Sequence, residues 1–330
     1  MKNFEYAAPR TAAEALALLS PDLGVTEILA GGTDLVGLMK KMIVTPDRVV
    51  NIMEIPSLKQ FERQADGSLV IGATVTLDEL VDHPYLDEYP GLRLAIRGIN
   101  SMQYQCQGTI GGELLQRPQC WFFRDGEGLL AAAGKLVEAG DNRFHAIFGN
   151  EGAAKFVNSS RTAPVLIALN AHVKVQGPEA QQEQLLPLAD FYRVPRHERQ
   201  RETILSPNQL LTHIVLPPSL GASSATYEVR HGEGADYPLA AAAAALRMES
   251  GIVREARVVL GQVAPTPWLA PAAAALLIGR RLDAEVADEA GNAAVAHATP
   301  LSQNGYKVQL AKVAVKRALL MAAGLPTGGF

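Results

Sequence analysis

Ile28-Leu29-Ala30-Gly31-Gly32-Thr33-Asp34-Leu35 is the stretch around which the rest of this chain is organised. The apolar run from Val25 to Ala30 has the make-up of a buried strand and stops at a glycine pair. Leu35 to Met42 then reads as a helical turn or two, ending before Thr45-Pro46. Adjacent glycines let a backbone approach a ligand closely and adopt dihedrals that other residues avoid. Consecutive N–H groups ahead of a helix start form a concavity suited to a pyrophosphate. A carboxylate beside a diphosphate is repelled, so Asp34 is expected to cap the helix, with Thr33 hydrogen-bonding outward. An ordinary strand-to-helix turn uses Gly-Gly equally well, and on this stretch alone that plainer reading prevails.

A second glycine pair shifts the balance. Gln107-Gly108-Thr109-Ile110-Gly111-Gly112-Glu113-Leu114 again sets Gly-Gly beside a hydroxyl residue and a branched apolar one. Two such loops, about eighty residues apart, can clasp one extended ligand from both sides. Their contexts, AGGTDL and GTIGGELLQRP, resemble the FAD-binding subunit of the molybdenum hydroxylases, the family of xanthine dehydrogenase, carbon monoxide dehydrogenase and aldehyde oxidoreductase. The resemblance implies that both loops hold FAD through backbone contacts to its diphosphate. The implied contacts are Ile28, Leu29, Ala30, Gly31, Gly32, Thr33, Asp34 and Leu35 on the first side, and Thr109, Gly111 and Gly112 on the second. Gln103 and Ser160 are expected to add backbone or polar contacts.

A chain of 330 residues exceeds the usual single-core limit, so two domains are expected. No uninterrupted apolar run approaches the roughly 20 residues of a membrane span, and the start, Met1-Lys2-Asn3-Phe4-Glu5, lacks the apolar segment of a signal peptide. A formal charge of −4 with interspersed signs leaves no footprint for nucleic acid. Two cysteines, Cys106 and Cys120, make neither a disulfide scaffold nor a CxxC pair. A reducing cytoplasm is the default.

Thr11 to Glu14 and Thr76 to Glu79 have the spacing of capping boxes, each ahead of a helix. Arg48 to Ile52 reads as a strand parallel to the first, and Leu69 to Ala73 as another. Leu92 to Ile99 is amphipathic. From Pro118 to Asn158 glycines punctuate a long excursion over the surface. Ala163 to Leu169 reads as a helix, Val173 to Val175 and Leu210 to Leu216 as strands. Pro217 to Gly221 breaks the chain and divides it into domains 1–220 and 221–330. In the second, Ala225 to Arg230 is a strand. The alanine run after Pro238 has helix propensity but reads as a strand, because a turn at Glu249-Ser250-Gly251 leads into a hairpin partner at Ile252 to Val263. Helices over Ala272–Ile278, Asp283–His297 and Lys307–Ala323 complete an α+β domain with a three-stranded antiparallel sheet.

Other chemistries are excluded residue by residue. Gly126-Glu127-Gly128-Leu129-Leu130-Ala131 fits GxGxxA, but Cys120 to Asp125 is a poor buried strand to precede it. Gly134-Lys135 lacks the hydroxyl residue and spacing of a P-loop. The seven histidines are scattered without a zinc pattern, and no GxSxG elbow exists. A lone Cys106 is more often a small apolar residue than a nucleophile. The charge run Arg196 to Arg201 reads as a solvated loop.

The resemblance extends over essentially the whole chain and is nearest to the aldehyde oxidoreductase branch. Leu115 to Arg124, His145 to Gly149, Ala163 to Leu169, Leu260 to Trp268 and Leu301 to Lys307 all carry it. The chain departs from the family's usual pattern at Glu113 (Asn), Gln105 (Arg), Ser159-Ser160-Arg161 (Pro-Ser-Asp) and Glu228 (Lys). The implied fold is an α+β protein: a two-subdomain FAD-binding domain of the PCMH type, and a smaller C-terminal domain like that of the carbon monoxide dehydrogenase flavoprotein. The implied role is electron exit from a multi-subunit complex. Substrate is oxidised on a molybdopterin-binding large subunit, electrons cross [2Fe–2S] centres on a small subunit, and FAD passes them to an external acceptor. Export with a partner to the periplasm is the alternative to the cytoplasm. Two other readings compete: a self-sufficient flavin oxidase, for which no positioned base is apparent, and a non-redox assembly subunit that has lost flavin affinity. In the aldehyde branch the excursion holds a [4Fe–4S] cluster on several cysteines. Here only Cys120 stands in that stretch, so no such cluster is expected.

Overall fold

The computed structural model describes residues 1–179, 181–232, 234 and 236–328. Among the described residues, three sheets carry the fold. The first comprises β1 (Glu5–Ala7), β2 (Thr26–Leu29) and β3 (Arg48–Asn51) in the order β1-β3-β2, with both pairings parallel. The expected crossover joins β2 to β3 through the helix Leu35–Lys40. The helix Ala12–Leu18 opens on a complete capping box between Thr11 and Glu14, and its Ala15 and Leu16 pack on Val50, Ile52 and Leu210. Burying a leucine there contributes roughly 1.5–3 kcal/mol, which fixes the helix against the sheet.

The second sheet is antiparallel throughout. It orders β4 (Phe61–Arg63), β5 (Leu69–Gly72), β6 (His172–Gln176), β7 (Glu183–Pro187) and β8 (Leu210–Leu216) as β4-β5-β8-β6-β7. Leu69, Ile71, Val173, Val175, Ile214 and Leu216 lie in one core with the helices Pro90–Arg97 and Ala163–Ala168. The sequence does not announce β1, β4 and β7. All three are sheet edges, short or largely exposed, and their pairing comes from a partner strand elsewhere in the chain.

The third sheet holds the three antiparallel strands expected of the C-terminal part, β9 (Ser223–Val229), β10 (Ala240–Glu249) and β11 (Ile252–Gly261). A two-residue edge, β12 (Trp268–Leu269), makes it four. The β10–β11 hairpin turns through Ser250 and Gly251, both at positive φ. Ala240 to Ala245 extend as a strand despite their helix propensity because both faces of β10 are covered. Ala242 and Ala244 share a core with the long helix Tyr306–Ala322, while Ala243 and Ala245 join the core of the helix Ala163–Ala168. Small side chains let helices approach both faces, and that packing outweighs propensity.

The excursion 118–158 is not the surface run its glycines suggested. Phe123, Leu129, Leu130, Ala154 and Phe156 bury themselves together with Leu38, on the helix that follows the first glycine loop. Further on, Ile147 and Phe148 donate backbone hydrogen bonds to Val263 O. The buried Lys307 Nζ holds the carbonyls of Phe144 (3.1 Å), His145 (3.0 Å) and Gln262 (2.8 Å). The segment therefore rivets the N-terminal sheets to the C-terminal domain.

Candidate functional site

A cavity of about 230 Å³ opens between the two glycine loops and the segment around residues 201–211. Its lining includes Ile28, Ala30, Gly31, Gly32, Thr33, Asp34 and Leu35 from the first loop, and Thr109, Gly111 and Gly112 from the second. The structure thus brings together most of the residues expected to bind one ligand. Leu29, Gln103 and Ser160 lie outside this lining. Gln103 is exposed on the helix Met102–Gln107 and accepts from the Ser101 hydroxyl (3.2 Å). Ser160 is buried, with its hydroxyl 3.3 Å from the Glu113 carboxylate and accepting the Ala163 N–H at 3.0 Å.

The glycine pairs are not equivalent. Among the described residues, no acceptor lies against the backbone N–H groups of Gly31, Gly32, Thr33 and Asp34. In the second loop the corresponding groups are already used. Ile110 N donates to Val75 O (3.0 Å) and Gly111 N to Ala73 O (2.9 Å). Gly112 N donates to Thr109 Oγ1 (3.1 Å), and Glu113 N to Thr109 O (2.8 Å). The first loop therefore offers open donors, whereas the second offers a surface and the Thr109 hydroxyl.

The glycines themselves serve different ends. A Cβ on Gly31 would fall 1.6 Å from Gln107 O, so this glycine lets the two loops touch. Gly111 is packed closely on Ala73, with a Cβ there falling 2.8 Å from its nearest atoms, and Gly32 stands at φ +73°. Gly112 is exposed to the cavity, with only Thr109 Oγ1 (3.1 Å) near a Cβ built on it.

Asp34 does not cap its helix, contrary to expectation. Its Oδ2 accepts the Arg117 N–H (2.8 Å) and its Oδ1 pairs with Arg124 (2.7 Å). The carboxylate is thereby neutralised, which removes the repulsion that suggested capping. Arg117 also pairs with Glu202 (2.8 Å), and Arg201 with Glu27. The run Arg196 to Arg201 is accordingly more than a solvated loop: Glu198 accepts the N–H groups of Leu129 (2.7 Å) and Leu130 (3.0 Å). Arg117, Arg201, Glu202 and Tyr192 all line the cavity, and the sequence reading does not include them among the site residues. Arg117 follows the second glycine loop directly and was within reach of the sequence. The other three approach only through tertiary folding.

A smaller chamber of about 90 Å³ adjoins the first and shares Thr33, Asp34, Thr109, Gly112 and Gln116 with it. Its remaining polar wall includes Glu113, Arg161, Tyr104 and Tyr237. Glu113 accepts from Arg161 N (2.5 Å), Thr162 N (3.3 Å) and Gln116 Nε2 (2.6 Å). Burial pushes its carboxyl up to about 7, with the Arg161 backbone bond and charge pulling the other way. Three departures from the family pattern meet here, since Glu113 holds the Arg161 backbone and Arg161 Nε lies 3.6 Å from Glu228 Oε1, with both members of that pair buried. A fourth, Gln105, is turned away and donates to Ile96 O (3.3 Å) and Ile99 O (2.8 Å).

Known proteins resemble this chain over nearly its whole length. Residues 2–219 match the FAD binding domain in molybdopterin dehydrogenase, and residues 225–322 the CO dehydrogenase flavoprotein C-terminal domain. The chain is 32% identical over 317 residues to the aldehyde oxidoreductase FAD-binding subunit PaoB of Escherichia coli, covering 94% of this chain and 96% of that one. It is 26% identical to the carbon monoxide dehydrogenase medium chain of Hydrogenophaga pseudoflava, with 96% of each covered. A solved carbon monoxide dehydrogenase from that organism superposes with a TM-score of 0.77 at 27% identity, covering 98% of both chains. With both loops, both chambers and both family domains in place, the chain belongs to the FAD-binding subunits of the molybdenum hydroxylases, and is an oxidoreductase subunit of that family.

Proposed function

We propose that this chain is the electron-transfer subunit of a multi-subunit molybdenum hydroxylase, taking electrons from a [2Fe–2S] partner subunit and passing them to an external acceptor. The observation that carries the reading is the two-chambered cleft, with four open backbone donors at Gly31 to Asp34 where its chambers meet. An extended dinucleotide with a central diphosphate fits such a cleft. Bound there, FAD supplies two-electron chemistry that no side chain of this protein can.

The chain's own residues bind and orient. Gly31, Gly32, Thr33 and Asp34 present N–H groups to the diphosphate, and the Thr109 hydroxyl faces it from the other loop. Ile28, Leu29, Ala30 and Leu35 supply apolar walls and support, while Gly111 and Gly112 keep the opposite side bare. Gln103 and Ser160 stand outside both chambers, Ser160 reaching the smaller one through Glu113. Of the domains 1–220 and 221–330, the first supplies both glycine loops and the second adds Tyr237 to the smaller chamber. A molybdopterin subunit would oxidise the substrate, so this chain needs no acid–base centre. Among the described residues, no helix is long and apolar enough to cross a membrane. Two free cysteines suit a reducing cytoplasm, with periplasmic co-export the alternative.

The test is co-expression with the neighbouring iron–sulfur and molybdenum subunits, followed by absorption spectroscopy. Co-purification with one flavin per chain, reduced on adding substrate, is expected. A colourless chain within an active complex would make it an assembly subunit. Substrate turnover by the isolated chain would make it an oxidase. Either result overturns the proposal.

A further inference from the structure

We infer that Arg161 is the cation facing the redox-active ring of the cofactor, where it stabilises the negative charge the ring gains on reduction. The inference rests on the FAD reading above and adds a role for one side chain. Arg161 lines the smaller chamber yet is only 5% exposed. Its Nη1 donates to Gly98 O (2.7 Å) and its Nη2 to Asp236 O, so two backbone carbonyls fix the guanidinium plane. Its buried Nε has no hydrogen-bond partner. The Tyr237 ring lies beside it, 5.6 Å from Cζ, and the Tyr237 hydroxyl is held by Gln116 Oε1 (2.9 Å).

The local charges leave this cation incompletely compensated. Glu228 stands 3.6 Å from Arg161 Nε, but it also pairs with Arg230 at 3.2 Å, so two guanidinium groups share one carboxylate. Asp34, on the opposite wall, is engaged by Arg124. Glu113 contacts the backbone of Arg161 and not its guanidinium, and burial raises its carboxyl to about 7, which blunts its charge at neutral pH. Two electrons and one proton convert a neutral oxidised flavin ring into one bearing a single negative charge. A fixed cation in a partly desolvated chamber favours that product over the oxidised ring. The electrons come from the iron–sulfur partner in the complex, or from dithionite in the test.

The experiment is spectroelectrochemical titration of the flavin-loaded protein, comparing wild type with R161Q, R161M and R161K. R161M removes the same charge with an apolar stem that fills the buried site, and carries the test if R161Q does not fold. For R161Q or R161M, the reduced flavin should bind roughly tenfold more weakly relative to the oxidised form. For a two-electron couple that lowers the midpoint by about 30 mV. R161K should keep most of the wild-type value. An unchanged midpoint in R161Q or R161M overturns the inference, as does an equal drop in R161K. A wild-type chain that binds no flavin overturns the underlying FAD reading instead, so the two failures are distinguishable.

Discussion

Asp34 and Arg124 meet at 2.7 Å, joining the first glycine loop to the chain that follows the second. Both side chains are about one-fifth exposed, at 21% and 17%, so solvent screening discounts the pair. A double-mutant cycle of D34N and R124Q should give a coupling energy of about 1 kcal/mol in urea unfolding. Additive effects would mean that the ion pair does not tie the loops together.

Gly31 and Gly112 should fail in different ways. G31A drives a methyl group into the Gln107 carbonyl and should cost roughly 1–3 kcal/mol of stability. A Cβ at Gly112 meets only the Thr109 hydroxyl, so G112V should melt near the wild-type temperature while losing most of its bound flavin. The measurements are thermal melts and the flavin-to-protein absorbance ratio. Full flavin in G112V would remove this face from the binding site.

Glu113 should make stability depend on pH in the acidic range. Its folded value of about 7 lies above the ordinary 4.5, so the folded chain holds the extra proton between them. The stability it contributes is present below 4.5 and is lost as pH rises through 7. E113Q should therefore flatten the stability profile across that window. Parallel profiles for wild type and E113Q would refute the assignment.

Lys307 has the opposite slope. Burial lowers its ammonium from 10.5 to about 7, so between those values the unfolded chain binds the additional proton. Wild-type stability should rise with pH across that range relative to K307M. K307M also leaves the carbonyls of Phe144 and Gln262 without their Lys307 donor, while the His145 carbonyl keeps Asn304 Nδ2, at a cost of roughly 1–3 kcal/mol. Urea midpoints at about pH 7 and about pH 9.5 separate the two effects.

Iron analysis provides a fifth check. Cys120 Sγ lies 3.1 Å from His145 Nε2, while Cys106 is exposed on a separate helix. A [4Fe–4S] cluster ordinarily takes four thiolates. Anaerobic reconstitution should leave this subunit far short of four irons per chain, and a full complement with matching sulfide would require ligands beyond these two cysteines.

Local signals located the elements that depend on nearest neighbours. The capping boxes at Thr11 and Thr76 formed as spaced, because a cap needs only residues three apart. The β2-loop-helix unit and the β10–β11 hairpin were equally legible, since hydrophobic runs and turn residues lie within a few positions of each other. Edge strands such as β7 were not, because their own residues are mostly exposed and only the neighbouring strand gives them a ladder.

The residues of both glycine loops could be named from the sequence alone, because two short motifs carry them. What those residues do was decided in three dimensions. Asp34 turned from cap to ion-pair partner because Arg124 and Arg117 arrive from a distant segment. Gly31 proved to be a contact between loops because Gln107 packs onto it. Arg161 and Glu228, two separate oddities in the chain, became one buried pair that shares its carboxylate with the half-buried Arg230. A sequence displays which groups are available, but electrostatics and close packing act through space, and only the tertiary structure sets those distances.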